Sequence, residues 1–244
     1  MNVVIDKNSA IPVYYQIREQ IKDDIQKGIL KPNEILLSER ELCEVLEISR
    51  MTVKQAMDSL MNEGMIYKKK GVGTFVSNPK IAQPLTKLTS FTNDMLSRGM
   101  KPGSMTITRS VEEPSNEIRN ILQLGEQDKV IFLKRLRLAD GEPMAVETTY
   151  LNYTLCQPLV DEPLDNQSLY DILKQKCNVT LSTATQSIEV STCNSDICKL
   201  LEISVNKPIF SIKRITYDTK KVPVEYVASV YRSDRYKFEI ELKI

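Results

Sequence analysis

Ser38-Glu39-Arg40-Glu41-Leu42 and, after a short gap, Ser49-Arg50-Met51-Thr52-Val53-Lys54-Gln55-Ala56 decide how the first third of the chain folds. In the first stretch the Ser38 hydroxyl and the Glu41 carboxylate stand at the spacing of a capping box, where each accepts a bond from a free backbone N–H at a helix start. Leu42, Val45 and Leu46 supply the buried stripe of that helix, and Glu47-Ile48 makes a tight turn. Ser49 then caps a further helix whose inner face is Val53, Ala56, Met57 and Leu60 and which ends at Gly64. Arg50, Thr52, Lys54 and Gln55 are left outside that stripe. Upstream, Pro12 suits a first helical turn, and Val13, Ile17, Ile21 and Ile25 recur every four residues as far as Gly28, the pattern of an amphipathic helix.

Downstream, Met65-Ile66-Tyr67-Lys68-Lys69-Lys70-Gly71-Val72-Gly73-Thr74-Phe75-Val76 reads as two short strands around a glycine-containing, basic loop. Net charge is only +1, yet between about Ile48 and Lys80 the residues Arg50, Lys54, Lys68, Lys69, Lys70 and Lys80 outnumber Asp58 and Glu63. Two helices around a tight turn, the second with Arg, Thr, Lys and Gln near its start, followed by a basic hairpin, form a winged helix-turn-helix suited to major-groove docking. The motifs, taken in this order, resemble the GntR-type regulators. The resemblance implies contacts from Arg40 and Arg50 to guanine edges or phosphates, with Ser38, Thr52, Lys54 and Gln55 beside them. The wing, Lys69 with Gly71 and Gly73, is implied at the minor groove. Leu37 stands where the family has proline, Lys54 where it has arginine, and Val72 where it has a basic wing residue. Lys54 reaches phosphate without bidentate geometry, and Val72 leaves Lys68 to Lys70 to supply the wing's charge.

Residues 77–88, Ser77-Asn78-Pro79-Lys80-Ile81-Ala82-Gln83-Pro84 and onward, are turn-forming and unpatterned, and read as a linker between a DNA-binding domain over 1–76 and a larger domain over 89–244. The larger domain contains an echo. Asn116-Glu117-Ile118 through Leu122, then Lys129-Val130-Ile131-Phe132, Asp140 and Glu147, returns about 78 residues later as Ser195-Asp196-Ile197 through Leu201, then Lys207-Pro208-Ile209-Phe210, Asp218 and Glu225. Each copy reads as strand, helix and long hairpin, with turns near Asp140-Gly141 and Asp218-Thr219, which predicts one antiparallel sheet covered by helices, an α+β layer.

The runs Leu88-Thr89-Ser90-Phe91-Thr92-Asn93-Asp94-Met95, Arg135-Leu136-Arg137-Leu138-Ala139-Asp140-Gly141, Glu147-Thr148-Thr149-Tyr150, Ser168-Leu169-Tyr170 and Tyr231-Arg232-Ser233-Asp234-Arg235-Tyr236 resemble the UTRA effector domain of the HutC branch, whose fold is like chorismate lyase. Ser90 or Thr89 is expected to cap a short helix running to Arg98-Gly99, with Phe91 and Thr92 in its first turn and free N–H groups suited to an anion. Arg135 and Arg137, two apart on a strand, point the same way and can grip one phosphate, the alternative being surface pairing with carboxylates. Glu147, Glu225, Ser168 and Tyr231 offer contacts to sugar hydroxyls or an amino group, or pair across the sheet. The resemblance implies a sugar-phosphate effector, an amino-sugar 6-phosphate such as N-acetylglucosamine 6-phosphate or glucosamine 6-phosphate first. A disaccharide phosphate, a fructosamine phosphate or a histidine catabolite stays open.

Composition narrows the rest. With 41% hydrophobic and 27% charged residues the chain has the balance of a soluble globular protein. The opening Met1-Asn2-Val3-Val4-Ile5-Asp6-Lys7 lacks a signal-peptide pattern and no apolar run could span a bilayer, so a cytoplasmic protein is expected. The five cysteines, Cys43, Cys156, Cys177, Cys193 and Cys198, show no C-x-x-C spacing and read as free thiols. The absence of histidine removes Cys/His zinc sites and the commonest catalytic base, so no metal, cofactor or catalytic residue is expected, and a sugar-phosphate enzyme is the weaker reading. A homodimer on an inverted-repeat operator is expected, because one recognition helix reads few bases.

Overall fold

The computed structural model describes residues 4–69 and 71–242. Lys70 and the first three residues of the opening segment therefore lie outside the described residues. The chain divides between Ile81 and Ala82 into two compact units.

In the first unit, α1 (Val13–Gln26) packs Ile17 and Ile21 fully inside, against α3 (Arg50–Asn62), which buries Val53, Ala56, Met57 and Leu60. Between them α2 (Glu39–Leu46) starts at the capping box: Ser38 N donates to Glu41 Oε2 at 2.7 Å, and Glu41 N donates to Ser38 Oγ at 3.2 Å. Hydrogen bonds from the Ser38 N–H and the Ser38 side chain hold the Glu41 carboxyl below its ordinary range. Glu47 ends α2 in the left-handed conformation (φ 50°), and the Ser49 hydroxyl accepts from Thr52 N to begin α3. The stripe of α2 differs from expectation at Val45, which is 68% exposed. At 100° per residue Leu42, Leu46 and Cys43 fall on one side and Val45 on the other, and it is Cys43 that packs on the core. Strands β1 (Ile35–Leu36), β2 (Ile66–Lys69) and β3 (Gly73–Val76) close the unit in the order β1-β3-β2, with β2 and β3 forming the hairpin.

The second unit opens with a difference. Residues 81–84, read as linker, form strand β4 (Ile81–Pro84), which pairs with the last strand, β11 (Tyr236–Glu239). After α4 (Phe91–Ser97) the chain runs β5 (Pro102–Glu112), α5 (Asn116–Ile121), β6 (Val130–Ala139), β7 (Glu142–Asn152), α6 (Tyr153–Cys156) with a 3-10 turn behind it, and α7 (Leu169–Lys176). It then repeats as β8 (Leu181–Thr192), α8 (Ser195–Leu200), β9 (Pro208–Asp218) and β10 (Pro223–Arg232). The six long strands make one antiparallel sheet ordered β5-β6-β7-β10-β9-β8, so the copies meet back to back at β7 and β10. Thr149 lies opposite Val227 there, the positions that correspond in the two copies. α5 and α8 cover one face through Ile118, Leu122 and Leu201, while α7 and its neighbours bury Ile131, Leu133, Leu151 and Val224 on the other.

The copies differ in register. Asp140-Gly141 is a two-residue turn with both φ positive (51° and 81°), the geometry that matches strand twist. In the second copy the turn is longer: Asp218 N donates to Val222 O, and the Asp218 carboxylate accepts from Lys220 N and Val222 N. Each hairpin then has a bulge, between Arg137 and Leu138 in the first copy and between Pro223 and Glu225 in the second, so the copies differ by the length of the turn. As a result Glu147 faces Arg135 in the first copy whereas Glu225 faces Thr216 in the second.

Cys43, Cys156 and Cys177 are free thiols, but Cys193 and Cys198, also expected to be free, form a disulfide. One turn of α8 beyond its Asn194 cap returns Cys198 beneath the end of β8, with Cα atoms 6.1 Å apart, a pairing that a search for C-x-x-C does not find. At the far end of the sheet Arg232 binds Asp234 (2.9 Å) and Glu142 (3.0 Å), and Lys207 binds Asp234 (2.8 Å). Burial opposes the Asp234 charge, but the hydrogen bonds and charges of Arg232 and Lys207 overcome it and hold the carboxyl well below its ordinary range. A depressed carboxylate stabilises the fold above its unfolded value and ceases to do so as the pH falls through the folded one. Asp234→Asn should therefore cost about 3 kcal/mol at pH 7 in urea unfolding, and the wild-type advantage should shrink as the pH falls below about 4.

Candidate functional site

The first candidate surface is in the first unit. Arg50, Lys54 and Gln55 project from the opening turns of α3 and are exposed, as is Met51 between them. Thr52 is half-buried, with its hydroxyl 2.8 Å from that of Ser49. Thr52, Lys54 and Gln55 line an open groove completed by Tyr14 of α1. Arg40 stands 88% exposed on α2, its guanidinium paired to Glu44 one turn on at 2.9 Å. The exposed Ser38 hydroxyl accepts from the Glu41 N–H and also hydrogen-bonds the Glu41 carboxylate.

On the hairpin, Gly71 and Gly73 both take positive φ (76° and 152°), and a Cβ at Gly73 would come within 2.9 Å of Ile35. Glycine is favoured at 73 by the backbone, since the crowding is with the end of the exposed Ile35 side chain, which can move aside. Val72 is exposed at the tip. Lys69 lies over the rings of Tyr67 and Phe75, whereas Lys68, the other expected source of wing charge, pairs with Glu39 at 3.3 Å. The third, Lys70, is outside the described residues.

The second surface is a cavity in the second unit, between the sheet and the N-terminal turns of α4 and α7. Ser90, Phe91, Thr92, Arg135, Arg137, Glu147, Glu225 and Tyr231 all line it. Ser168 lies behind them as the cap of α7, 3.4 Å from the Ser90 hydroxyl that caps α4, so two helix starts converge there. Arg135 and Arg137 are buried, at 3% and 2% exposure, and so are not surface ion pairs. Each meets the same carboxylate oxygen of Glu147: Arg135 Nη2 at 3.1 Å and Arg137 Nε at 3.8 Å. Arg137 also donates to the Thr92 hydroxyl at 3.1 Å and stacks over the Phe91 ring at 4.5 Å. Even so, Nε and Nη1 of both arginines have no hydrogen-bond partner. Burial, together with the charge of Arg135, outweighs the attraction of Glu147 and draws the Arg137 guanidinium down to about 10. Two buried cations with unfilled donors have the chemistry to receive an anion.

At the other end Glu225 is buried and accepts from the Tyr170 and Thr216 hydroxyls, each at 3.0 Å. Burial pushes its carboxyl up, against the pull of Arg214. That end presents an acceptor and hydroxyls to a neutral or hydroxylated group. Tyr231 packs edge-on to Tyr236 at 4.9 Å. The space enclosed is about 50 Å³, room for a few water molecules. Sequence reasoning missed Tyr170, Arg214, Asp94, Ser229 and Phe238 in this lining. Tyr170 lies two residues from Ser168, at the start of α7. Arg214 was hidden by the register shift, because a fixed offset of 78 carries Arg135 onto Lys213, which is exposed. Among the described residues no group of three Cys, Asp or Glu side chains is placed to hold a metal ion, and no helix is long and apolar enough to cross a membrane.

Comparison with known proteins gives the same two parts. The family described as bacterial regulatory proteins, gntR family, matches residues 13–76, and the UTRA domain matches residues 97–237. The chain is 43% identical over 234 residues, 96% of each protein, to the HTH-type transcriptional repressor NagR of Bacillus subtilis. It is 28% identical to the mannosyl-D-glycerate transport/metabolism system repressor MngR of Escherichia coli, over 94% of this chain and 95% of that protein. Among solved structures it resembles PhnF from Mycobacterium smegmatis, with 26% identity and a TM-score of 0.65 over 93% of this chain and 99% of that one. These relatives are transcription regulators rather than enzymes. The chain belongs to the GntR family of bacterial regulatory proteins, as a DNA-binding transcription regulator whose second domain is a UTRA domain.

Proposed function

We propose that the chain is a repressor of sugar-utilisation genes in the cytoplasm, binding an inverted-repeat operator as a homodimer and released by an amino-sugar 6-phosphate. The observation that carries the ligand class is the buried Arg135/Arg137 pair with its unfilled donors. A phosphate ester brings three terminal oxygens and up to two charges to that point, with the Ser90 and Thr92 hydroxyls beside it. Glu225 and Tyr170 then suit the hydroxyl or amino groups of the sugar. The kinship with NagR and with the mannosyl-D-glycerate repressor supports a sugar-linked repressor.

Release follows from the size of the cavity. A hexose phosphate is far larger than the few waters the narrow space holds, and Phe91 and Thr92, at the start of α4, are the wall in contact with Arg137 that such a ligand presses on. α4 follows the 77–88 segment in the sequence, so a ligand that shifts α4 acts close to the connection with the DNA-binding domain and can alter half-site spacing. Ligand and operator then oppose each other by about 1–3 kcal/mol, and the operator weakens the ligand by the same factor.

Three outcomes are expected. Footprinting should protect two half-sites of an inverted repeat by a dimer, and protection of a single half-site by a monomer would reject the dimeric reading. In DNA titrations Arg50→Ala should lose about 1–3 kcal/mol and relax base preference, whereas Lys54→Ala should weaken all sequences alike and lower the salt slope by about one unit. Arg135→Ala should keep wild-type operator affinity but lose release by glucosamine 6-phosphate or N-acetylglucosamine 6-phosphate. Release as efficient as wild type would remove Arg135 from the phosphate site.

A further inference from the structure

Glu147 was expected among the groups that hold the sugar, yet both of its short contacts are with the arginines. It sits directly across the β6–β7 pair from Arg135, and its Oε2 is shared between Arg135 and Arg137. No other carboxylate among the described lining residues is available to the pair. Asp94 is taken by Arg98 at 2.8 Å, and Glu225 is engaged by Tyr170 and Thr216. One carboxylate against two guanidiniums leaves the cluster one positive charge in excess and several buried N–H groups unfilled.

We propose that Glu147 is the site's own counter-anion, a built-in competitor that occupies the arginine pair until a ligand anion displaces it. The inference rests on the reading of Arg135 and Arg137 as the phosphate receptor. Two unpaired guanidiniums packed on one buried strand face would repel each other and lack solvation. Glu147 relieves both problems, and for that reason opposes the ligand. A phosphate that arrives must break the Arg135–Glu147 contact and then tolerate a carboxylate nearby. Its advantage over Glu147 is its greater charge and its further oxygens, which reach donors that Glu147 leaves empty. Glu147 therefore sets a threshold of anionic strength that a ligand has to exceed, and makes occupation of the site a switch between an internal and an external anion.

The test compares wild type with Glu147→Gln, which keeps the side-chain shape and an acceptor oxygen but removes the charge. Binding of inorganic phosphate and of glucosamine 6-phosphate is followed by calorimetry and by thermal shift. Inorganic phosphate should bind the variant about tenfold tighter than wild type, and should raise the variant's melting temperature more, because it replaces the missing counter-charge. Equal phosphate affinities would overturn the proposal. So would unchanged phosphate affinity with weakened glucosamine 6-phosphate, which would return Glu147 to the sugar.

Arg135→Ala separates the two readings. If wild type binds glucosamine 6-phosphate and Arg135→Ala does not, the phosphate receptor stands, and a Glu147→Gln variant without a gain defeats only the counter-anion. If Arg135→Ala binds as well as wild type, both fail. Should Glu147→Gln not fold without phosphate, Glu147→Asp, which withdraws the carboxylate by one methylene, replaces it in the comparison. Tighter phosphate binding than wild type supports the proposal, and equal or weaker binding overturns it.

Discussion

Keeping Arg135 and Arg137 out of water on one face of β6 is the constraint around which the second domain is arranged. Neither can be buried without a carboxylate, and among the described residues Glu147 is the one in ion-pair contact with both. Its position depends on the register of β6 against β7, since a slip of one residue would turn every side chain of the strand to the other face. Register in turn depends on the Asp140-Gly141 turn, whose two positive φ values fit the twist of a two-residue hairpin, and on the bulge between Arg137 and Leu138, which moves Glu147 opposite Arg135. On the same face of β6, Ile131 and Leu133 are in the core under α7, so the arginines are fixed by the same packing that stabilises the domain. The cavity is thus held by rigid strands on one side and by the short helix α4 on the other.

The internal duplication gives this cavity two chemically unlike ends. β7 and β10 are equivalent by sequence and adjacent in the sheet, so Glu147 and Glu225 approach the same space from the two copies. In one copy the strand opposite carries arginine. In the other, the longer turn at Asp218 shifts the partner strand, so that Thr216 meets the glutamate and Tyr170 caps it. One carboxylate therefore lies against two cations, while the other accepts from two hydroxyls with the single charge of Arg214 nearby. A ligand with an anion at one end and polar neutral groups at the other matches that division, and this is the form of a phosphorylated sugar.

The DNA-binding domain follows a simpler logic, because nearly all of it is local. A capping box, a left-handed turn at Glu47 and a serine cap place α3 with its opening turns outward. The departures from the family pattern have structural counterparts. Val72 leaves the wing tip apolar, Lys68 is engaged with Glu39, and Lys69 lies over two aromatic rings, so of the described residues Lys69 carries the positive charge of the wing.

The sequence by itself determined what depends on neighbours along the chain. Helix starts at Ser38, Ser49 and Ser90 were legible because a cap bonds to a backbone N–H three residues on. The duplicated strand, helix and hairpin were legible because an echo preserves spacing, and the common face of Arg135 and Arg137 because a strand alternates. Tertiary structure alone decided what depends on register and on returning chain. It turned Val45 outward, joined Cys193 to Cys198 across a helix start, and made residues 81–84 a strand against β11. It also gave Arg214 rather than Lys213 to the cavity and assigned Glu147 to the arginines. Those outcomes hang on turn length, bulges and distant partners, whose effects are set by packing of the whole sheet and leave no periodic mark on the sequence.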